Sequence, residues 1–190
     1  MRGSSALRVA VTSLLIAVGI AIPMLSPFKI ILEPASFTLA SHVTIFIAIF
    51  ISPGIAAAVA VGTTIGFFLG GFPIVIVLRA ASHIVFTLVG ALWIQRHPEL
   101  ADGGMKLRIF SFFIALIHAA CEMVVVTLFY FAGNMSQLYY DKGFVVGVLV
   151  LVGFGSVVHS MVDFEIAYLI FTPLRSRLTS LSTHLSSKTA

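Results

Sequence analysis

The chain has 190 residues, of which 59% are hydrophobic and only 9% are charged. A water-soluble domain of this size carries about a quarter charged residues, so the composition excludes an ordinary soluble protein and predicts a membrane protein. The net charge of +4 does not indicate nucleic-acid binding, because the basic residues stand at the ends of apolar runs rather than in one patch.

Long apolar runs divide the chain into six predicted membrane-spanning helices. A helix needs about 20 apolar residues to cross the hydrocarbon core, and the runs end at proline, glycine or charged residues. In chain order the predicted spans cover about residues 7–24, 37–51, 55–72, 74–94, 107–131 and 144–171. The sequence therefore predicts an all-α helix bundle, and we expect one transmembrane domain, residues 1–190.

The connections between these spans are short and differ in character. A segment with Lys29, Glu33 and Pro34 follows the first span, and residues 52–54 form a Ser-Pro-Gly turn between the second and third. Residues 95–106 are the clearly hydrophilic internal loop. Since no connection is long enough to fold separately, no additional soluble domain is predicted.

Basic residues predict the orientation of the bundle. If both termini are cytoplasmic, eight basic residues fall in cytoplasmic segments and only Lys29 and Lys142 fall outside, while Arg79 lies within a span. The eight are Arg2, Arg8, Arg96, Lys106, Arg108, Arg175, Arg177 and Lys188. This bias follows the positive-inside rule, so we expect a multi-pass protein of the cell membrane with cytoplasmic N- and C-termini.

Several polar side chains lie inside the predicted spans, where they are costly and mark functional sites by default. Arg79 and His83 share a face of span four, and His118 and Glu122 share a face of span five, each at i,i+4 spacing. His42 lies in the outer part of span two. In the predicted orientation all five fall in the outer half of the membrane, which indicates a pocket that opens outward.

Two other interpretations of these groups remain open. Arg79 and Glu122 could simply neutralise each other between helices, with the histidines hydrogen-bonded to backbone or hydroxyl groups. A metal site could use His and Glu at i,i+4 spacing. Because Arg79 would repel a cation and no cysteine supports the cluster, we predict no metal site and no cofactor.

A second polar group lies further along the chain. His159, Asp163 and Glu165 are placed toward the inner end of span six, with His159 and Asp163 on one face. We expect them to be too deep to join the outer pocket, and to pair locally or contact a partner protein.

Catalytic and nucleotide-binding motifs are absent from the sequence. There is no Gly-x-x-x-x-Gly-Lys-Ser/Thr phosphate loop, no Gly-x-Ser-x-Gly elbow and no His-Glu-x-x-His pair. We therefore predict a non-enzymatic subunit, for which a partner supplies energy if it transports. Span one carries small residues at close-packing spacing, namely Ala6, Ala10, Ser13 and Ala17.

Three segments carry a resemblance to a known family: Glu-Pro-Ala-Ser-Phe-Thr-Leu-Ala-Ser-His (33–42), Phe-Ile-Ser-Pro (50–53) and Leu-Arg-Ala-Ala-Ser-His (78–83). Together with the basic N-terminus, the small-residue first helix and six predicted spans, they resemble the substrate-binding S components of energy-coupling factor (ECF) transporters. The segments look most like the pantothenate branch, with the niacin branch as the alternative.

The resemblance implies a fold, partners and a ligand. An S component of an ECF-type ABC importer binds a water-soluble vitamin and works with one transmembrane coupling protein and two cytoplasmic ATPases. In that family an Ala-x-x-x-Ala motif on the first helix contacts the coupling protein, a role that either Ala6/Ala10 or Ser13/Ala17 could take here. Pantothenate and nicotinate both carry a carboxylate, for which Arg79 is a bidentate partner. The predicted substrate-binding residues are Arg79, His83, His42, Glu122, His118, Lys29 and Asn134.

Functions of other classes were weighed against this one. An intramembrane enzyme could use His118 with Glu122, or His159 with Asp163, as acid and base. A structural subunit would use the polar groups only to pair with each other.

Overall fold

The structure is a computed structural model that describes the backbone of residues 2–32 and 35–186 and the side chains of residues 5–28 and 37–175. Its helices are α1 (Arg2–Leu25), α2 (Val43–Ile51), α3 (Pro53–Leu69), α4 (Ile74–Arg96), α5 (Gly104–Phe131), α6 (Gln137–Phe144) and α7 (Gly155–Ser186). A 3-10 helix, Pro98–Asp102, precedes α5, and a π-helical segment, Val145–Phe154, joins α6 to α7. Two antiparallel strands, β1 (Lys29–Leu32) and β2 (Ala35–Thr38), form a hairpin after α1.

Long apolar helices dominate the described part of the chain, as the sequence predicted. Four stretches there are long and apolar enough to cross a membrane, namely Ser5–Leu25, Ile74–Arg96, Gly104–Phe131 and Gln137–Arg175. The shorter helix α3 is also apolar. The predominantly helical, multi-pass fold is therefore confirmed, whereas the count of six spans and the side of the membrane on which the termini lie stay predictions.

The predicted second span is wrong at its N-terminal end. Phe37 and Thr38 belong to strand β2, and α2 begins only at Val43. Its nine residues extend about 14 Å, half of the roughly 30 Å hydrocarbon core. Every side chain of α2 is buried, and short buried helices and strands have the same continuous apolar pattern. The sequence therefore could not separate the strand from the helix.

The predicted sixth span is also longer than expected. The helical stretch starts at Gln137 rather than near residue 144, and its apolar part runs to Arg175, a length of 39 residues. Gly143 interrupts it with a φ of 73°, a left-handed conformation that glycine adopts without a Cβ clash. The π-helical segment follows directly. Depth in the membrane can therefore not be counted along this stretch as though it were one α-helix.

Helix α2 lies at the centre of the bundle, in contact with α1, α3, α4 and α7. Its Phe46 ring packs 5.2 Å from Phe164 of α7 and 5.7 Å from Phe86 of α4, measured between ring centroids. All three rings are almost completely buried. Because α2 is surrounded by other helices, its turn at residues 39–42 ends inside the protein rather than at its surface.

Helix α1 packs closely against α2 and α3 through Gly19. A Cβ on Gly19 would stand 2.6 Å from Oγ1 of Thr44 and 2.7 Å from Cγ2 of Thr63. Thr63 cannot easily move, because its hydroxyl donates to the carbonyl oxygens of Val59 and Ala60. The absence of a side chain at Gly19 therefore sets the distance between these helices.

We expect Gly19→Ala to destabilise the protein by about 1–3 kcal/mol, because the added methyl group overpacks a rigid contact. Thermal unfolding of the purified protein in detergent measures the effect. Gly54→Ala is the matched control, since nothing lies within 4 Å of a Cβ at this position of α3. Alanine should be neutral there or stabilising by up to about 1 kcal/mol. Equal melting temperatures for the two variants would contradict the close contact.

Candidate functional site

A cavity of about 370 Å³ lies between α1, α3, α4 and the turn before α2. The polar part of its lining is formed by Ser41, His42, Arg79, His83, Glu122 and His159. The rest of the lining is largely apolar and includes Phe37, Phe67, Phe72, Pro73 and Ile76. An apolar pocket with a few convergent polar groups is the usual form of a small-molecule site.

Helix periodicity brings the polar side chains together in pairs. Arg79 and His83 lie one turn apart on α4, and His118 and Glu122 lie one turn apart on α5. Because residues four apart share a helix face, each helix presents both of its polar groups to its neighbour. The two pairs meet between α4 and α5, as the sequence predicted.

Glu122 is the centre of the first group. Arg79 binds it with a two-pronged hydrogen bond, from Nε to Oε1 at 3.1 Å and from Nη2 to Oε2 at 2.9 Å. Ser156 of α7 donates its hydroxyl to Oε2 at 2.5 Å. Nε2 of His83 lies 3.4 Å from Oε1, and Nε2 of His118 lies 3.5 Å from it. The carboxylate is therefore buried with its charge compensated.

Asp163 of α7 is the centre of the second group. It is completely buried and accepts the backbone N–H of Ala40 at 2.7 Å and that of His42 at 2.9 Å. Its Oδ2 also lies 3.1 Å from Nδ1 of His42 and 3.4 Å from Nε2 of His159. Ser41 bridges the two imidazoles, with Oγ 3.1 Å from His42 and 3.0 Å from His159. A carboxylate at the N-terminus of a helix is electrostatically favourable, so Asp163 stabilises the start of α2.

His42 connects the two groups. Its ring centroid lies 4.9 Å from that of His83, 4.7 Å from that of His118 and 5.1 Å from that of His159. Four imidazoles, from the turn before α2 and from α4, α5 and α7, thus lie in one contiguous cluster, which contacts both carboxylates.

The prediction that His159 and Asp163 are too deep to join the pocket is wrong. His159 lines the cavity, and Asp163 binds the turn that carries His42. The depth of these residues was estimated along a regular helix from residue 144, whereas the helical stretch starts earlier and contains the π-helical segment. Glu165 is correctly separated from the pocket and pairs with Arg108, at 3.4 Å from Nε to Oε1.

One predicted binding residue, Asn134, does not join the cluster. Asn134 is exposed near the C-terminal end of α5 and is absent from the cavity lining, while its backbone N–H donates to Phe129. The side chain of Lys29 lies outside the described residues, although its backbone is part of β1. His118 is completely buried behind the lining residues His42 and His83 rather than in the lining itself.

Sequence reasoning missed several residues that shape the site. Ser41 and Ser156 make hydrogen bonds to the two carboxylate groups, and Phe37 contributes an aromatic ring to the cavity. Isolated serines inside apolar runs are common and give no pattern of their own. One local feature of the sequence could have indicated the turn before α2. Ala-Ser-His (40–42) places three small or polar residues where a membrane-spanning helix was expected.

The small residues of α1 point away from this site. Ala6, Ala10, Ser13 and Ala17 are all exposed, and their spacing places them on one face of the helix. The opposite face, with Leu15 and Gly19, is buried against the bundle. The small-residue face is therefore not used for packing within the described part of this chain.

Comparison with known proteins supports a transporter family. The niacin transporter NiaX of Lactococcus lactis subsp. cremoris (strain MG1363) is 41% identical over 157 residues, which cover 83% of this chain and 69% of the relative. The chain belongs to the NiaX family. It is thus a multi-pass cell-membrane protein of the ECF S-component class. No family model matches the chain, and no solved structure gives a significant match.

The match to NiaX refines the expectation drawn from the short segments. It supports the S-component class that these segments predicted, but it does not support their preference for the pantothenate branch. A relative that is a transporter is also consistent with a non-enzymatic subunit.

We expect Glu122→Gln to destabilise this S component by about 3–5 kcal/mol, because Arg79 would be left as a buried charge without its partner. Glu165→Gln is the matched control, since the Arg108–Glu165 side chains are 58% and 41% exposed and such pairs contribute only about 0–1 kcal/mol. Thermal unfolding of both variants in detergent makes the comparison. An effect of Glu122→Gln no larger than that of Glu165→Gln would show that Arg79 does not depend on Glu122.

Proposed function

We propose that this protein is the niacin-binding S component of an ECF-type importer. The observation that carries the proposal is the guanidinium of Arg79, which reaches a small, partly aromatic cavity while Glu122 fixes its orientation. The NiaX relative supports niacin over pantothenate. Nicotinate combines a carboxylate with a flat heteroaromatic ring, and the polar and apolar parts of the cavity lining correspond to these two parts.

Arg79 has donors left for a ligand carboxylate. A guanidinium carries five N–H groups, of which the hydrogen bonds to Glu122 use one on Nε and one on Nη2. The three remaining donors include both on Nη1. The side chain is 19% exposed, so it is accessible from the cavity. A second carboxylate that binds there benefits from a cation that is already held in place.

The aromatic ring of the vitamin would lie against the apolar part of the cavity lining. Phe67 and Phe72 stack on each other with centroids 4.8 Å apart, and both line the cavity. Phe37 of β2 also lines the cavity, and its ring packs 5.4 Å from that of His159. Offset and edge contacts between rings contribute about 0.5–1.5 kcal/mol beyond burial. The hairpin that carries Phe37 is in a position to act as a lid over a bound ring.

Uptake requires partners in this proposal. We infer that a transmembrane coupling protein and two cytoplasmic ATPases complete the importer, with the exposed small residues of α1 as the contact to the coupling protein. Small residues allow two helices to approach closely in a membrane. The face formed by Ala6, Ala10, Ser13 and Ala17 is suited to this role because it is unused within the described part of the chain. We also infer six membrane crossings and cytoplasmic termini, which place the cavity toward the outside.

We expect Arg79→Lys to weaken nicotinate binding by about 10–100-fold, because an ammonium cannot bind a second carboxylate in the same planar geometry. Arg79→Ala should abolish binding. Wild-type protein should also bind nicotinate much more tightly than nicotinamide, which lacks the carboxylate. Isothermal titration calorimetry on the purified protein in detergent gives these affinities.

The lysine variant separates a binding role from a folding role, because it retains a positive charge beside Glu122. Its melting temperature should be measured alongside its affinity. Unchanged nicotinate affinity in a folded Arg79→Lys variant would refute the carboxylate clamp. Tighter binding of pantothenate than of nicotinate to the wild type would refute niacin as the substrate.

We expect Ala10→Trp to prevent assembly with the coupling protein while leaving nicotinate affinity unchanged, since the indole would separate the two helices. Co-purification of the coupling protein and ATPases with a tagged S component measures assembly. Val18→Trp is the matched control, because Val18 is 39% exposed on the same helix but is not three or four residues from any of the four small residues, so it lies on a different face. Loss of the complex in both variants, or in neither, would contradict the assigned face.

A further inference from the structure

Three histidines beside the cavity form a nearly equilateral triangle. The ring centroids lie 4.7 Å apart for His42 and His118, 4.8 Å apart for His83 and His118, and 4.9 Å apart for His42 and His83. The planes of the rings in these three pairs are inclined by 66°, 87° and 70°. Each offers one nitrogen within 4.8 Å of the nitrogens of the others and of a Glu122 oxygen. Three imidazoles at about 2.0–2.1 Å from one Zn²⁺ have their ring centres about 5 Å apart. The ring centres of the triangle therefore have the spacing of a three-histidine metal site.

His118 shows that this arrangement is not explained by hydrogen bonding alone. Its side chain is completely buried, and neither Nδ1 nor Nε2 has a hydrogen-bond partner. A buried polar group without a partner costs about 1–3 kcal/mol. An imidazole nitrogen with an available lone pair, within 4.8 Å of a nitrogen of each of two other imidazoles, is a favourable metal ligand.

His42 is held in the way that metal-binding histidines usually are. Its Nδ1 lies 3.1 Å from Oδ2 of Asp163, which leaves Nε2 as the nitrogen available to a metal. Metal-ligating histidines almost always donate their second N–H to a carboxylate or carbonyl, and this fixes both tautomer and ring orientation. Asp163 is thus placed as a positioning residue for His42.

The charges of the site favour a cation despite Arg79. Glu122 binds the guanidinium through two hydrogen bonds, so this pair is neutral in sum. Asp163 adds a further buried negative charge, and one positive and two negative groups give a net charge of −1. A divalent ion would change this to +1, which an anionic vitamin would neutralise. Arg79 alone would repel a cation, which was the argument against a metal site. Its pairing with Glu122 offsets this repulsion.

We propose that His42, His83 and His118 bind one divalent transition-metal ion of the zinc type between the cavity and the bundle core. Two of the three ligands line the cavity, so the fourth coordination position faces the cavity. Resting on the proposed function, we assign that position to the pyridine nitrogen of nicotinate, while Arg79 binds the carboxylate. The ion would then distinguish nicotinate from benzoate, which has the same carboxylate but no ring nitrogen.

Cobalt titration tests the metal site directly. Purified protein is stripped with a chelator and titrated with Co²⁺, whose visible absorption is strong when its geometry is tetrahedral. Wild type should bind one ion per chain with that spectrum. His118→Gln should lose more affinity for Co²⁺ than the roughly 10–100-fold lost on removing a group that only orients a ligand. Asp163→Asn should lose about 10–100-fold, as expected of a positioning residue.

His97→Ala is the matched control, because His97 is exposed and pairs only with Glu99 in the described part of the chain. It should bind Co²⁺ as wild type does. If wild type shows no tetrahedral cobalt spectrum, or if His118→Gln binds the ion as tightly as His97→Ala, the metal site is refuted. The wild-type spectrum decides the question even if a core variant fails to fold.

Ligand binding with and without the ion tests the role of the open position. Metal-loaded protein should prefer nicotinate to benzoate by about tenfold or more, and stripped protein should bind both about equally. An unchanged preference would refute the ring-nitrogen contact. Cobalt binding without any nicotinate binding would refute the proposed function but not the metal site. Nicotinate binding without cobalt binding would refute the metal site but not the proposed function.

Discussion

Two buried carboxylates set the arrangement of the site in this protein. Glu122 binds the guanidinium of Arg79 and the hydroxyl of Ser156, and Asp163 binds the backbone N–H groups that precede α2. A buried carboxylate that lacks partners costs several kcal/mol, so the elements that carry these partners must keep their relative rotation and depth. Helices α4, α5 and α7 and the turn before α2 are thereby held around one cavity.

The short central helix is a consequence of the second carboxylate. Because Asp163 accepts the N–H groups of Ala40 and His42, the turn before α2 can lie inside the bundle with these two donors paired. The preceding residues then form a hairpin, which places Phe37 in the wall of the cavity. Ser41 and His42, in the turn itself, also line the cavity.

Helix α1 separates two requirements of an S component. Its inner face approaches α2 and α3 closely through Gly19 and forms part of the cavity wall. Its outer face presents small residues and makes no close packing contact within the described chain. Binding and assembly thus depend on opposite sides of one helix, so a substitution on one side need not disturb the other.

The sequence by itself determined the membrane class, the approximate positions of α1, α4 and α5, and the i,i+4 pairs Arg79/His83 and His118/Glu122. These features follow from hydrophobic length and helical period, which are local properties of the chain. The short segments predicted the S-component class, which the similarity to NiaX supports, but their preference for the pantothenate branch is not supported.

Only the tertiary structure decided which polar groups meet. The depth of His159 and Asp163 depended on a helical stretch that starts at Gln137 and contains a π-helical segment, and counting residues along a regular helix gave the wrong level. The exclusion of Asn134 and the nine-residue length of α2 likewise follow from contacts between distant parts of the chain. The rotation and depth of a helix are set by contacts with neighbouring helices, so they cannot be read from the local pattern of a single sequence.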